Sequence, residues 1–133
     1  MKIAIFGAGA MGSVYAARFA EAGFDVIAID SWAEHVKVIA CSGLRLEGPD
    51  GDRVVSGITA SSDAALAQDA KLFVIATKAA GVSDAARAVR DVMAPQATVL
   101  TIQNICRKMR SSWASLTDSE PRFQSRAMCA TPR

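Results

Sequence analysis

The chain contains 133 residues, of which 51% are hydrophobic and 21% charged, and its formal net charge is +2. The length suits a single domain, and the composition excludes disordered and collagen-like proteins. The small net charge and the aromatic content of 6% argue against nucleic-acid binding.

The residues that commonly bind metals are few and scattered. His35 is the one histidine, and the three cysteines, Cys41, Cys106 and Cys129, form no paired motif. A metal site is therefore not expected, and the odd cysteine count favours reduced thiols in a cytosol. Residues 3–17 are uncharged, but glycines interrupt them. We therefore expect a cytoplasmic protein rather than a secreted or membrane protein.

The first half of the chain alternates short apolar runs with helical patterns. Residues 2–6 and 24–29 are apolar runs typical of buried parallel strands. Apolar residues recur at helical spacing between them, and Gly23 fits a helix C-cap. A second helix is predicted over residues 33–42. Two short apolar stretches then flank a G-P-D-G-D turn, which predicts a small hairpin.

The second half continues the alternation. Ser62 or Asp63 can cap a short helix that runs to Gln68. Strands are predicted over residues 71–76 and 97–102, with a helix between them that is closed by Pro95. Strands that alternate with helices predict an α/β fold with a doubly wound, mainly parallel sheet.

A glycine-rich loop follows the first predicted strand directly and opens the first helix. In that context the pattern G-x-G-x-x-G is the Rossmann-type fingerprint of dinucleotide binding. The first glycine makes a tight turn, the second lets backbone approach a pyrophosphate, and the third lets the helix pack on the strand. A tight turn without a ligand is the alternative. The predicted cofactor contacts are Gly7, Ala8, Gly9, Ala10, Met11 and Gly12.

Asp30 stands at the end of the second predicted strand. A carboxylate there accepts hydrogen bonds from the adenosine ribose and repels a 2′-phosphate, which favours NAD over NADP. Residues 31–34 contain no arginine or lysine that could pair with a 2′-phosphate. The alternative is that Asp30 caps the following helix.

Polar residues end two further strands. Thr77 and Lys78 follow one, and Gln103 and Asn104 follow the other. Because ligands of open α/β sheets bind outside the carboxyl ends of the strands, Lys78 and Asn104 are candidate cofactor contacts. Each can equally be a solvated loop residue.

Taken together, these residues resemble the ketopantoate reductase (2-dehydropantoate 2-reductase) family. The resemblance covers residues 1–104 and rests on K-I-A-I-F-G-A-G-A-M-G, G-L-R-L at 43–46, V-I-A-T-K-A at 74–79 and T-I-Q-N at 101–104. It implies the N-terminal cofactor domain of an oxidoreductase. In that family NADPH reduces 2-dehydropantoate to pantoate for pantothenate biosynthesis.

The resemblance also implies roles for individual residues. Lys78 would contact the cofactor, and Asn104 would lie between the nicotinamide and the substrate. The family's general-acid lysine and a substrate-binding glutamate belong to a second, helical domain, which residues 105–133 do not match. We therefore expect no catalytic residue in this chain and no activity from it alone. Asp30 and Ser31 stand where NADP-dependent members place an arginine, so the cofactor is expected to be NADP or NAD.

The last part of the chain differs in charge and pattern. Residues 1–104 hold 9 Lys+Arg and 11 Asp+Glu, a net of −2, whereas residues 105–133 hold 6 and 2, a net of +4. The family's Q-N is usually followed by a glycine, and Ile105 follows here. We predict a dinucleotide-binding domain over 1–104 and a basic tail over 105–133 that reflects a frameshift or truncation.

Two other functions share the glycine loop. One is the cofactor half of another two-domain hydroxy-acid dehydrogenase, such as a 3-hydroxy acid or glycerol-3-phosphate dehydrogenase. The other is a non-catalytic module that binds NAD(H) or serves in interactions. The expected partners are a nicotinamide dinucleotide and, in the full-length family, a small 2-keto acid; neither nucleic acid nor a membrane is expected.

Overall fold

The computed structural model describes residues 1–48 and 51–103, which form a central sheet with helices on both faces. No helix in these ranges is long and apolar enough to cross a membrane. The strands are β1 (Lys2–Phe6), β2 (Asp25–Ile29), β3 (Leu44–Leu46), β4 (Arg53–Val55), β5 (Ile58–Ser61), β6 (Leu72–Ile75) and β7 (Thr98–Thr101). The α-helices are α1 (Ala10–Glu21), α2 (Ala33–Ser42) and α3 (Val82–Val92).

Five strands form the central sheet in the order β5-β2-β1-β6-β7, and their four pairings are all parallel. The strands β3 and β4 form a separate antiparallel pair, which is the predicted hairpin. The Rossmann-type α/β prediction is therefore confirmed. After β1 the chain forms β2 on one side of β1, and later it forms β6 on the other side of β1. The sheet order reverses between β1 and β6, where folds of this kind bind ligands.

The two faces of the sheet bury separate apolar clusters. Ile3 and Ile5 of β1 point to the cluster that contains α1, α2 and the hairpin. Ala4 and Phe6 point to the opposite cluster, which Ala85 and Val89 of α3 complete. Because β1 is covered on both faces, it reads as a continuous apolar run rather than an alternating one.

One strand was not predicted, and one helix is shorter than predicted. β5 pairs with β2 in the register Val26↔Ile58, but Ile58 is its one large apolar residue. The predicted helix after Ser62 is a 3-10 helix, Ala64–Ala67. Asp63 caps it, since its Oδ1 accepts a hydrogen bond from the Ala65 N–H at 2.9 Å.

An ion pair joins the end of α1 to the hairpin. The Nε–H of Arg53 donates to Oε1 of Glu21 at 2.5 Å. Arg18 lies one helical turn before Glu21 and pairs with it at 3.3 Å. The hydrogen bond from Arg53, with the charges of both arginines, holds the pKa of Glu21 below its usual range.

Residues 104–133 lie outside the described residues. Asn104 and the predicted change at Ile105 both fall there. The division into a domain over 1–104 and a tail over 105–133 therefore stays a prediction.

Candidate functional site

The glycine loop begins where β1 ends. Gly7 has φ +96°, a left-handed conformation that favours glycine, and its N–H donates to the carbonyl of Ile29 at 2.8 Å. A Cβ at Gly7 would lie 2.8 Å from the backbone nitrogen of Thr77, which follows β6. Gly7 thus makes the tight turn expected of it and brings the ends of β1, β2 and β6 together.

The third glycine of the loop lets α1 pack directly on this turn. A Cβ at Gly12 would lie 1.8 Å from the carbonyl oxygen of Gly7, closer than any real contact. The packing role expected of Gly12 is therefore observed. It fixes the direction in which the first turn of α1 points.

The middle glycine is different, because nothing in the described structure fills the space beside it. A Cβ at Gly9 would meet no atom within 4 Å. Gly9 is exposed, as are Ala10 and Met11 after it. The protein's own packing therefore does not require glycine at position 9, and the open space is where a ligand could approach the backbone.

The N-terminus of α1 provides electrostatics suited to an anion. Gly9 is the N-cap residue, with no side-chain capping bond and no acidic residue in the first turn. The first N–H groups of a helix lack intrahelical acceptors, and the helix dipole places partial positive charge there. These features together suit a phosphate group.

Asp30 lies between this loop and the start of α2. Its Oδ2 accepts a hydrogen bond from the Ala8 N–H at 2.6 Å, and its Oδ1 accepts one from the Trp32 N–H at 2.9 Å. The N-cap residue of α2 is Trp32. Asp30 is therefore not the N-cap residue of α2, and its carboxylate instead joins the glycine loop to the N-cap residue Trp32.

Two further side chains bind the backbone of the same residue, Ala8, and were not predicted. The carbonyl of Ala8 accepts a hydrogen bond from Oγ of Ser13 at 2.7 Å and lies 2.9 Å from Nε2 of His35. The indole of Trp32 stacks on the imidazole of His35, with ring centroids 5.3 Å apart. A lone histidine five residues after Asp30 matches no known motif, so the sequence carried no signal for this contact.

The other side of the switch point is formed by the ends of β6 and β7. Nε2 of Gln103 donates to the carbonyls of Ile75 at 3.1 Å and Thr77 at 2.8 Å, while its Oε1 is hydrogen-bonded to Thr101. Gln103 therefore ties the end of β7 to the loop that carries Thr77. Oγ1 of Thr77 is buried and has no hydrogen-bond partner among the described residues.

Lys78 is exposed at the start of the 3-10 turn Ala79–Gly81, directly after β6. It therefore lies at the carboxyl end of the strand next to β1, as its position in the sequence indicates. The described residues contain no group of three or more His, Cys, Asp or Glu side chains that could hold a metal ion.

A parallel sheet whose order reverses beside a glycine turn places this structure in the class of Rossmann-type folds. Within that class the chain belongs to the family described as ketopantoate reductase PanE/ApbA, whose model matches residues 3–110. The resemblance predicted from the sequence is thus confirmed at the level of the family.

Individual relatives agree with this assignment. The chain is 34% identical over 104 residues to a 2-dehydropantoate 2-reductase of Mesorhizobium japonicum, covering 78% of this chain and 32% of that protein. The crystal structure of a PanE/ApbA family ketopantoate reductase from Ralstonia eutropha is 41% identical and superposes with a TM-score of 0.72. That match covers 78% of this chain and 34% of the other.

A third relative is a different enzyme. The ternary structure of D-mandelate dehydrogenase with NADH and anilino(oxo)acetate is 29% identical, with a TM-score of 0.71. The match covers 81% of this chain and 35% of that one. The present chain spans about a third of the length of the curated relatives it matches.

Proposed function

We propose that residues 1–104 bind a nicotinamide dinucleotide, with its pyrophosphate over the N-terminus of α1. The observation that carries this proposal is the open space at Gly9, beside N–H groups that have no side-chain cap. Gly7 and Gly12 are required by packing, whereas Gly9 is required only if something approaches from outside. The cofactor contacts proposed are Gly7, Ala8, Gly9, Ala10, Met11, Gly12, Asp30, Lys78 and Asn104.

We propose further that NAD(H) is preferred to NADP(H). Each carboxylate oxygen of Asp30 accepts one backbone N–H, which leaves acceptor capacity for the hydroxyls of a ribose. The same negative charge opposes a 2′-phosphate, and residues 31–34 supply no lysine or arginine to offset it. The bound NADH in the related D-mandelate dehydrogenase supports this preference, whereas the family resemblance implies NADP.

The reaction proposed for the whole protein is reduction of a small 2-keto acid. When bound, the reduced dinucleotide supplies the hydride. The similarity to 2-dehydropantoate 2-reductases supports 2-dehydropantoate as the substrate. The similarity to D-mandelate dehydrogenase supports a 2-hydroxy acid product more generally. Lys78, at the carboxyl end of β6, offers a cation at the crevice that suits a phosphate or carboxylate.

Binding without turnover is proposed for these 133 residues alone. The resemblance assigns the general acid to a second domain, and proton transfer contributes about 10²–10⁴-fold to such reactions. A ligand-binding module without catalysis has the same glycine loop, so turnover and not binding separates the two functions.

Fluorescence titration tests the proposal. NADH and NADPH are each titrated with the purified chain while nicotinamide emission is followed, and 2-dehydropantoate is added at the end. Saturable binding with a lower Kd for NADH and no oxidation of the nicotinamide is expected. Absence of binding would contradict the dinucleotide site, and a lower Kd for NADPH would contradict the role given to Asp30.

A further inference from the structure

The backbone of Ala8, a residue between two glycines, is held by three side chains. Its N–H donates to Asp30, and its carbonyl is engaged by Ser13 and His35. Ala8 itself is 2% exposed. Glycine is the residue least restricted in φ and ψ, so Gly7 and Gly9 restrict the two peptide groups that flank Ala8 only weakly. The side-chain hydrogen bonds must therefore hold the orientation of these two groups.

The hydrogen bond between His35, in α2, and the Ala8 carbonyl determines which nitrogen of the imidazole carries a proton. A carbonyl oxygen can only accept, so Nε2 of His35 must carry a proton to make the contact of 2.9 Å with Ala8. The Trp32 indole lies nearly parallel to the imidazole, with 23° between the two planes. The stack therefore keeps the ring in the plane that aims Nε2–H at the carbonyl.

We propose that His35 is a positioning residue of the dinucleotide site, acting through the Ala8 carbonyl; this rests on the proposed function. His35 and Ser13 hold the Ala8–Gly9 peptide through its carbonyl, and Asp30 holds the Gly7–Ala8 peptide through its N–H. These two peptides thereby set the separation between the carboxylate that faces the ribose and the α1 N–H groups that face the pyrophosphate. Without the His35 bond, Ser13 alone holds the Ala8–Gly9 peptide, which can then rotate more freely about the backbone bonds of Ala8 and Gly9.

The energetic scale is that of one hydrogen bond. A single hydrogen bond contributes about 0.5–1.5 kcal/mol, which corresponds to a change of about 2- to 10-fold in affinity. His35 does not need to contact the dinucleotide for this effect, because the lost orientation must be restored on binding.

A first test needs no ligand. The chain has one histidine, so a long-range ¹H–¹⁵N spectrum of the untagged protein reports its tautomer without assignment ambiguity. Under conditions where the imidazole is neutral, the Nε2–H tautomer is expected. The Nδ1–H tautomer would overturn the proposal, because Nε2 could then not donate to Ala8.

A second test measures binding. His35→Phe keeps an aromatic ring for Trp32 to stack on but has no donor, and Val38→Ala is a control at an exposed site of the same helix. His35→Phe is expected to weaken NADH binding about 2- to 10-fold, while Val38→Ala leaves it unchanged. Equal affinity of a folded His35→Phe variant and the wild type would overturn the proposal.

A second variant covers the case in which His35→Phe does not fold. Ser13→Ala removes the other donor to the same carbonyl and leaves Trp32 and α2 untouched. It is expected to weaken NADH binding over the same range, and unchanged affinity would overturn the positioning of Ala8. Failure of the wild type to bind NADH would instead contradict the proposed function, and the tautomer would still report on the His35 bond.

Discussion

The carboxylate of Asp30 accepts a hydrogen bond from the Ala8 N–H at 2.6 Å, across 22 positions of the sequence. The acid at the end of β2 and the loop after β1 therefore form one unit. In the proposed complex, the Asp30 carboxylate that binds the ribose hydroxyls also holds the Gly7–Ala8 peptide of the glycine loop. A substitution at Asp30 is consequently expected to affect both the cofactor choice and the geometry of the loop.

Two alanine substitutions in the glycine loop should have opposite consequences. Gly12→Ala places a Cβ 1.8 Å from the Gly7 carbonyl, so it is expected to cost more than the ~3 kcal/mol typical of overpacking. Gly9→Ala meets no protein atom and is expected to cost at most about 1 kcal/mol at this N-cap. Thermal denaturation compares the two variants with the wild type.

Gly9→Ala should nevertheless weaken NADH binding about tenfold or more, because its methyl group occupies the space reserved for the ligand. Fluorescence titration of the folded variant measures this loss. If Gly9→Ala bound NADH as tightly as the wild type, the pyrophosphate would not lie at this position.

Replacing the acid at the end of β2 should change the cofactor preference. Asp30→Asn removes the negative charge and is expected to weaken NADH binding about 10- to 100-fold, the range for hydrogen bonds to charged groups. The affinity for NADPH should fall by less or should rise, because its 2′-phosphate no longer lies beside a carboxylate. The ratio of the two Kd values measures the effect, with Asp25→Asn at the exposed start of β2 as the control. An unchanged ratio would exclude Asp30 as the discriminating residue.

The amide of Gln103 should contribute to stability through its hydrogen bonds to two backbone carbonyls. Gln103→Ala removes the donors to the Ile75 and Thr77 carbonyls and is expected to lower the free energy of unfolding by about 1–3 kcal/mol. Urea denaturation measures the change. Gln96→Ala, at an exposed position before β7, is the matched control and should have little effect. Equal stability of the two variants would mean that Gln103 does not tie β7 to the Thr77 loop.

Glu21 should make part of the stability of the fold dependent on pH. Its pKa is lowered in the folded state by Arg53, so the carboxylate stabilises the fold above about pH 4.5, its ordinary value. That stabilisation is lost as the pH falls through the lowered pKa of the folded state. Glu21→Gln should therefore unfold more easily than the wild type near pH 7 and equally easily at strongly acidic pH.

Salt provides the control for the Glu21 prediction. At about 1 M salt the charges are screened over about 3 Å, so the difference between Glu21→Gln and the wild type at pH 7 should shrink. A difference that stayed constant across pH would assign the effect to packing rather than to charge.

The sequence was informative where local pattern alone decides structure. The buried strand β1 and the glycine loop each carry a strong local signal, and both occur as predicted. β5 was missed because Ile58 is its one large apolar residue and the strand depends on pairing with β2. Its conformation is set by a neighbour 32 positions earlier, which no local window contains.

The candidate site shows the same division. Asp30 could be placed at the end of β2 from its position alone, but its bond to Ala8 depends on how two loops meet. The contacts of His35 and Gln103 span 27 and 26 positions and end on backbone carbonyls, which are identical in every residue type. Side-chain identity therefore could not reveal them.

The location of the dinucleotide is the central claim, and an NMR titration tests it most directly. In ¹H–¹⁵N spectra of the labelled chain, NADH should shift the backbone amide signals of residues 9–12, Trp32 and Lys78. The amides of β3 and β4, on the hairpin, should stay unchanged. Shifts confined to the hairpin, or no shifts at saturating NADH, would contradict a dinucleotide site at the switch point between β1 and β6.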